Sequence, residues 1–168
     1  TGAPVIGLVD CAGMRLQEAT EALNGFGQVY MAQAMASGVI PQITAIFGTC
    51  GGGMALIPAL TDFTFMEEKK GKLFVNSPNA LDGNISSKCD TAAAEFQSEE
   101  TGLVDVVGSE ADILAQIRQL VGMLPSNNED EAYTDCTDNL NRACPDLANC
   151  AGDTGILLSQ ISDNGVVF

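Results

Sequence analysis

Two short apolar runs with a helical stretch between them constrain this chain most. Residues 4–10, PVIGLVD, open on a proline, are rich in β-branched side chains and end on Asp10, which predicts a buried strand. Residues 43–47, ITAIF, predict a second. From Arg15 to Ala36 the apolar positions Leu16, Ala19, Leu23, Phe26, Tyr30 and Ala34 recur every three or four residues, giving one stripe of a long helix despite Gly25 and Gly27. Gly38 ends it, with Pro41 shortly beyond. Residues 54–60 then have the length and composition of a short buried helix. Residues 63–66 and 72–75 read as strands joined by a charged turn, EEKKGK. A polar loop (76–90), a short helix (91–96), a strand (103–107) and an amphipathic helix (109–124) closed by Pro125 complete the series. Strands alternating with helices imply an α/β fold with mostly parallel strands, and the Met and Phe positions are assigned to its core.

Beyond Pro125 the sequence turns to Asn, Asp and turn formers. The expected organisation is a domain over residues 1–125 and an acidic connector over 126–168, with one short helix near 154–161 and a final NGVVF that starts a strand. Residues 127–168 hold eight acids against one base, Arg142, within an overall charge of −15. Long-range repulsion from that charge argues against nucleic acid and anionic membranes as partners. The apolar runs stop well short of the ~20 residues a membrane span needs, and no signal pattern opens the chain, so it reads as cytoplasmic and without direct membrane insertion.

Six cysteines and no histidine narrow the chemistry further. Without a CxxC pair no zinc site is expected, and the thiols read as reduced and mostly buried. A histidine-free chain also excludes His-based triads and His general bases.

The stretch GTCGGGMALIPALTD, residues 48–62, runs a strand into three glycines and then a helix. Such a turn exposes backbone N–H groups that a ligand can approach closely. Phosphate binding, oxyanion stabilisation and plain helix-on-strand packing all fit the spacing. No GxxxxGK[ST] and no spaced GxGxxG is present to favour phosphate. A second small-residue turn, Cys11-Ala12-Gly13-Met14, also ends a strand, so amides from two strand ends can converge on one oxygen.

Residues 38–42 (GVIPQ), the Gly48–Gly53 turn and PALTDF at 58–63 resemble the biotin-dependent acyl-CoA carboxyltransferases, whose pattern is close to ASGVIPQI, GPCAGG and PALTDF. DCAGMRLQE, residues 10–18, is similar to that family's DSGGARIQE. The match is densest over residues 4–80, with EETGLVDVV and DNGVVF fitting later. The resemblance implies a crotonase-like ββα spiral, present in part, belonging to the first of two related halves. About a hundred preceding residues and a second, biotin-holding half would then lie outside this chain.

By the same resemblance Gly52 and Gly53 match the glycine pair that stabilises the enolate oxygen of an acyl thioester, with Gly13 and Met14 on the opposing loop. Ala12, Gly51 and Arg15 are the expected CoA-side contacts. Thr49, Gly51, Cys11 and Ala12 stand where the family has proline, alanine, serine and glycine, and Met14 is bulkier than the usual alanine. Crotonase hydratases carry a glutamate two residues after the last glycine and another on a later loop. Here those regions hold Ala55 and the neutral run Ser77-Pro78-Asn79, so hydration lacks its proton carriers.

The implied activity is transfer of carboxylate between carboxybiotin and the α-carbon of an acyl-CoA of the acetyl-, propionyl-/methylmalonyl- or glutaconyl-CoA type. The implied partners are acyl-CoA, a biotin carboxyl carrier protein, the second carboxyltransferase half and further copies of the chain, and the isolated chain is expected to have little activity. Two alternatives stay open: another crotonase-fold acyl-CoA enzyme, an isomerase or thioesterase, and a non-catalytic scaffold subunit. Arg15 is expected to pair with Asp10 or Glu18, Lys69, Lys70 and Lys72 to decorate a hairpin turn, and Cys50 to be an unreactive packing residue.

Overall fold

A computed structural model of the chain describes residues 2–80, 89–130, 137–139, 141–145, 147–150 and 152–165. Most of the loop predicted over 76–90, the end of the NGVVF segment and Cys136 lie outside the described residues. The chain divides into two compact units, Thr1–Glu131 and Ala132–Phe168.

The first unit is built on one long strand. β2 (Gln42–Gly51) pairs with β1 (Val5–Cys11) along one edge. Along the other edge its first half pairs with β3 (Phe63–Glu67) and its end with β4 (Lys72–Phe74). β5 (Val106–Gly108) lies beyond β3, and every pairing among these strands is parallel. Five helices are described, α1 (Ala19–Ala36), α2 (Leu56–Leu60), α3 (Ala94–Glu99) and α4 (Glu110–Met123) in this unit, and α5 (Thr154–Ile161) in the second.

The period of two along β2 sorts its side chains onto two faces. Ile43 and Ala45 pack with Phe65 and with Ile113, Ile117 and Leu120 of α4. Ile46 packs on the opposite side with Val9, Cys50, Met66, Leu73, Ala94 and Val104. The three α4 residues are spaced by four and three, one helical face, and Ser109 caps the helix by accepting the Asp112 N–H at 3.3 Å.

Three expectations are corrected. The 4–10 run is not a buried strand: β1 is the sheet's edge, Val5, Ile6 and Leu8 are exposed, and only Val9 is buried among its apolar residues. The turn EEKKGK does not join a hairpin, because β3 and β4 both run parallel to β2. It is instead ordered by the buried Glu67, whose carboxylate accepts the backbone N–H groups of Lys69 and Lys70, while Lys72 pairs with Asp90 at 2.6 Å. Nor are all Met and Phe residues core: Phe65 and Met66 are fully buried, but Met31, Met35 and Met123 are exposed. Periodicity finds a helix face, but which face is covered depends on what packs against it, and α1 has no buried residue at all.

In the second unit Arg142 joins two segments. Its guanidinium donates to Asp138 Oδ2 at 2.8 Å and to the carbonyls of Gln160 and Ser162, tying the end of α5 to residues 138–142. The Asp138 carboxyl is held below its ordinary range chiefly by that hydrogen bond. Asp153 caps α5 by accepting the Ile156 N–H at 3.0 Å.

Candidate functional site

The site begins at an irregularity between β1 and β2. Val9 faces Ile46 and Cys11 faces Cys50, so two steps along β1 span four along β2. The extra residues bulge around Gly48, and Asp10 Oδ1 accepts the Thr49 N–H at 2.9 Å. A Cβ on Gly48 would lie 2.2 Å from that oxygen, so glycine leaves room for the carboxylate that orders the bulge.

Past the bulge the two strand ends meet. A Cβ on Gly51 would come within 2.9 Å of the Ala12 carbonyl oxygen and of the Phe74 ring, and one on Gly13 within 3.2 Å of the Gly51 carbonyl. Gly13 and Gly52 have φ of 124° and 60°, in the left-handed region that favours glycine. The CAGM turn and the GGG turn therefore interlock through their backbones. Among the described residues, neither Gly13 nor Met14 donates its N–H to a backbone or side-chain acceptor.

Beside this junction opens an apolar cavity of about 560 Å³, lined by Ala12, Gly13 and Met14, by Gly52, Gly53 and Leu56, and by Leu16, Leu23, Phe26, Gly27 and Tyr30. Five of the seven site residues expected from sequence line it. Gly51 is buried behind them, and Arg15 points to solvent and pairs with Glu18 at 3.3 Å, the second of its two expected partners. The helix expected to open at Arg15 starts with a single 3-10 turn, Leu16–Glu18, before α1 proper, whose first residue, Ala19, has φ 41°.

Among the described residues, Tyr30 is the only ionisable one in the lining. Its ring stacks on Phe26 with centroids 5.9 Å apart, and its hydroxyl donates to the Gly53 carbonyl oxygen. Burial pushes its pKa above the ordinary 10.0, so the phenol is neutral at physiological pH. Sequence reading placed Tyr30 and Phe26 on the helix stripe without giving them a site role. Their i, i+4 spacing marks a shared face, but nothing in the sequence says that this face looks onto the glycines. Cys50 is fully buried, and its thiol is pushed up to about 12 by burial and then by Cys11.

A parallel α/β sheet with two small-residue turns closing on an apolar cavity defines a class of fold and site rather than one member. The chain belongs to the carboxyl transferase domain family, whose pattern matches residues 1–166. It is 38% identical over 179 residues to the methylmalonyl-CoA decarboxylase subunit alpha of Veillonella parvula, covering 99% of this chain and 35% of that protein. It is 37% identical to the propionyl-CoA carboxylase carboxyltransferase subunit of Haloferax mediterranei, again covering 99% of this chain and 35% of that protein. A solved structure of transcarboxylase 12S with methylmalonyl-coenzyme A and methylmalonic acid bound aligns with a TM-score of 0.87 at 28% identity, over 99% of this chain and 35% of that one. The fold is thus the crotonase-like one of the carboxyltransferases, and the chain spans about a third of the length of the curated relatives it matches.

Proposed function

We propose that the full-length protein moves carboxylate between carboxybiotin and the α-carbon of an acyl-CoA, and that this chain supplies the acyl-CoA side of the site. The observation that carries this reading is the pairing of two backbone turns at an apolar cavity whose lining, among the described residues, holds no carboxylate and no histidine. Loss of CO2 or of a proton from the α-carbon of a thioester leaves an electron pair that delocalises onto the carbonyl oxygen. The N–H groups of Gly52 and Gly53 on one turn, and of Gly13 and Met14 on the other, are the donors assigned to that oxygen. One such donor contributes about 3 kcal/mol to transition-state stabilisation. Tyr30, a neutral phenol with a raised pKa, is a poor base, so among the described residues the lining offers no ready acceptor for the α-proton. Carboxybiotin, when bound, supplies both the carboxylate and a base, which suits a cavity built this way.

The relatives' names favour a propionyl-CoA or methylmalonyl-CoA substrate, and they include both a carboxylase subunit and a decarboxylase subunit. Met14 lines the cavity, and its bulk where the family usually has alanine suits a short acyl group. The second carboxyltransferase half, the biotin carboxyl carrier protein and further copies of the chain complete the proposed assembly. Support for protein partners comes from Val5, Leu8, Met31 and Met35, four large apolar side chains that this chain leaves in water.

Two measurements on the full-length assembly test the reading. Gly53→Pro deletes one proposed donor and is expected to lower kcat/KM by about 10²- to 10³-fold. Unchanged turnover would remove the oxyanion assignment. Avidin is expected to abolish turnover, whereas activity that survives it would assign the site to a biotin-independent crotonase-fold reaction.

A further inference from the structure

Three consecutive glycines are the least constrained backbone a chain can offer, yet an amide donor works only when held within about 0.5 Å of its productive position. Something must therefore remove the freedom of the turn. On one side β1 and β4 flank Cys50 and Gly51 through the sheet. Beyond Gly51 the sheet ends, and the restraints become individual hydrogen bonds. Cys50 Sγ donates to the Met54 carbonyl at 3.4 Å, a weak contact. The Gly53 carbonyl oxygen accepts from the Leu56 N–H, within its own turn, and from the Tyr30 hydroxyl, which arrives from another element 23 residues away.

We infer that Tyr30 is a positioning residue, whose hydroxyl ties α1 to the Gly53 carbonyl and so fixes the Gly53–Met54 peptide, to which the Gly52–Gly53 peptide with the Gly53 N–H is joined at the Gly53 Cα. The inference rests on the oxyanion reading above. A carbonyl with two donors cannot rotate without losing one, so the Gly53 Cα is anchored on its C-terminal side and the adjoining peptide that carries the Gly53 N–H has fewer ways to turn. Phe26, stacked on the Tyr30 ring, holds the phenol in place. The fit is close: a Cβ on Gly53 would sit 2.9 Å from the Tyr30 hydroxyl oxygen, so the tether in this position requires glycine at 53.

The test uses the full-length protein and titration calorimetry with two ligands. One is propionyl-CoA. The other is a CoA thioether whose terminal nitro group ionises to a nitronate, an isostere of the enolate. Wild-type protein is expected to bind the nitronate more tightly than propionyl-CoA. Tyr30→Phe keeps the ring and its stacking and removes only the hydroxyl. It is expected to reduce the nitronate preference about tenfold, the size of one lost hydrogen bond, with propionyl-CoA affinity unchanged. Steady-state kinetics should show the same split, a lower kcat with KM held. A nitronate preference that survives Tyr30→Phe overturns the inference and leaves the oxyanion reading standing. Equal weakening of both ligands, or a variant that does not fold, also overturns it, because the hydroxyl is then a structural requirement. No preference in the wild type removes the oxyanion reading and the inference with it.

Discussion

Gly51→Ala is expected to cost about 1–3 kcal/mol of stability, because its Cβ would meet both the Ala12 carbonyl and the Phe74 ring at 2.9 Å. Neither is a flexible side-chain end that could swing away cheaply, so urea unfolding should show a lower midpoint. Thr44→Val has the opposite expectation. The Thr44 hydroxyl is fully buried in β2 with no hydrogen-bond partner among the described residues, and removing such a group is worth about 1–3 kcal/mol, read as a higher Tm. For Cys50 a thiol pKa of about 12 leaves it unreactive at neutral pH, so iodoacetamide at pH 8 should label the exposed Cys89 and spare Cys50 in the folded protein. The reading of Cys50 as a packing residue was available from its uncharged neighbours in sequence. The Tyr30 tether was not, since a hydroxyl 23 residues from its acceptor leaves no local mark.

At the scale of elements, α4 joins two kinds of stabilisation that separate cleanly. Ser109→Ala removes the cap and is expected to cost about 1 kcal/mol, whereas Ile117→Ala opens a cavity against Phe65 and is expected to cost about 2–5 kcal/mol by chemical denaturation. The turn after β3 gives a pH prediction. The Glu67 carboxyl is held below its ordinary value of 4.5 first by the Lys70 N–H and then by that of Lys69. A depressed carboxyl contributes stability that is complete above its unfolded pKa and is lost as pH falls through the folded one. Glu67→Gln should therefore be less stable than wild type at pH 7, and the gap should close as pH falls below 4.5.

Sequence patterning located β1 to β5 and α1 to α5, because apolar period and Gly/Pro punctuation are local signals, but it found only part of β2 and placed β5 and α3 a few residues early. Pairing is not local. Lys72–Phe74 looked like the return strand of a hairpin, and only the sheet shows that it runs alongside the end of β2. Burial of β1 failed for the same reason, since a run of β-branched residues reads alike at an edge and at a centre.

Across the whole molecule the charge of −15 sets the background against which these local terms act. Self-repulsion of that size opposes compaction, so Tm should rise as sodium chloride is raised from 0.01 to about 0.5 M, where the Debye length falls from ~30 Å to a few ångströms. A flat response would mean that the acids are already balanced locally. The candidate site was legible because a backbone site must be written in glycine, and the two turns at 11–14 and 51–53 are visible without a structure. Their convergence required the bulge at Gly48, which no residue count announces.

Tyr30 carries one more consequence, for measurement. The chain has no tryptophan and only two tyrosines. Phenol emission near 300 nm is therefore unobscured, and it is quenched when the hydroxyl is bound to a peptide carbonyl. The protein thus carries its own optical reporter, in which the part of the dimming on refolding that Tyr30→Phe removes times the moment at which the helix docks on the glycine turn.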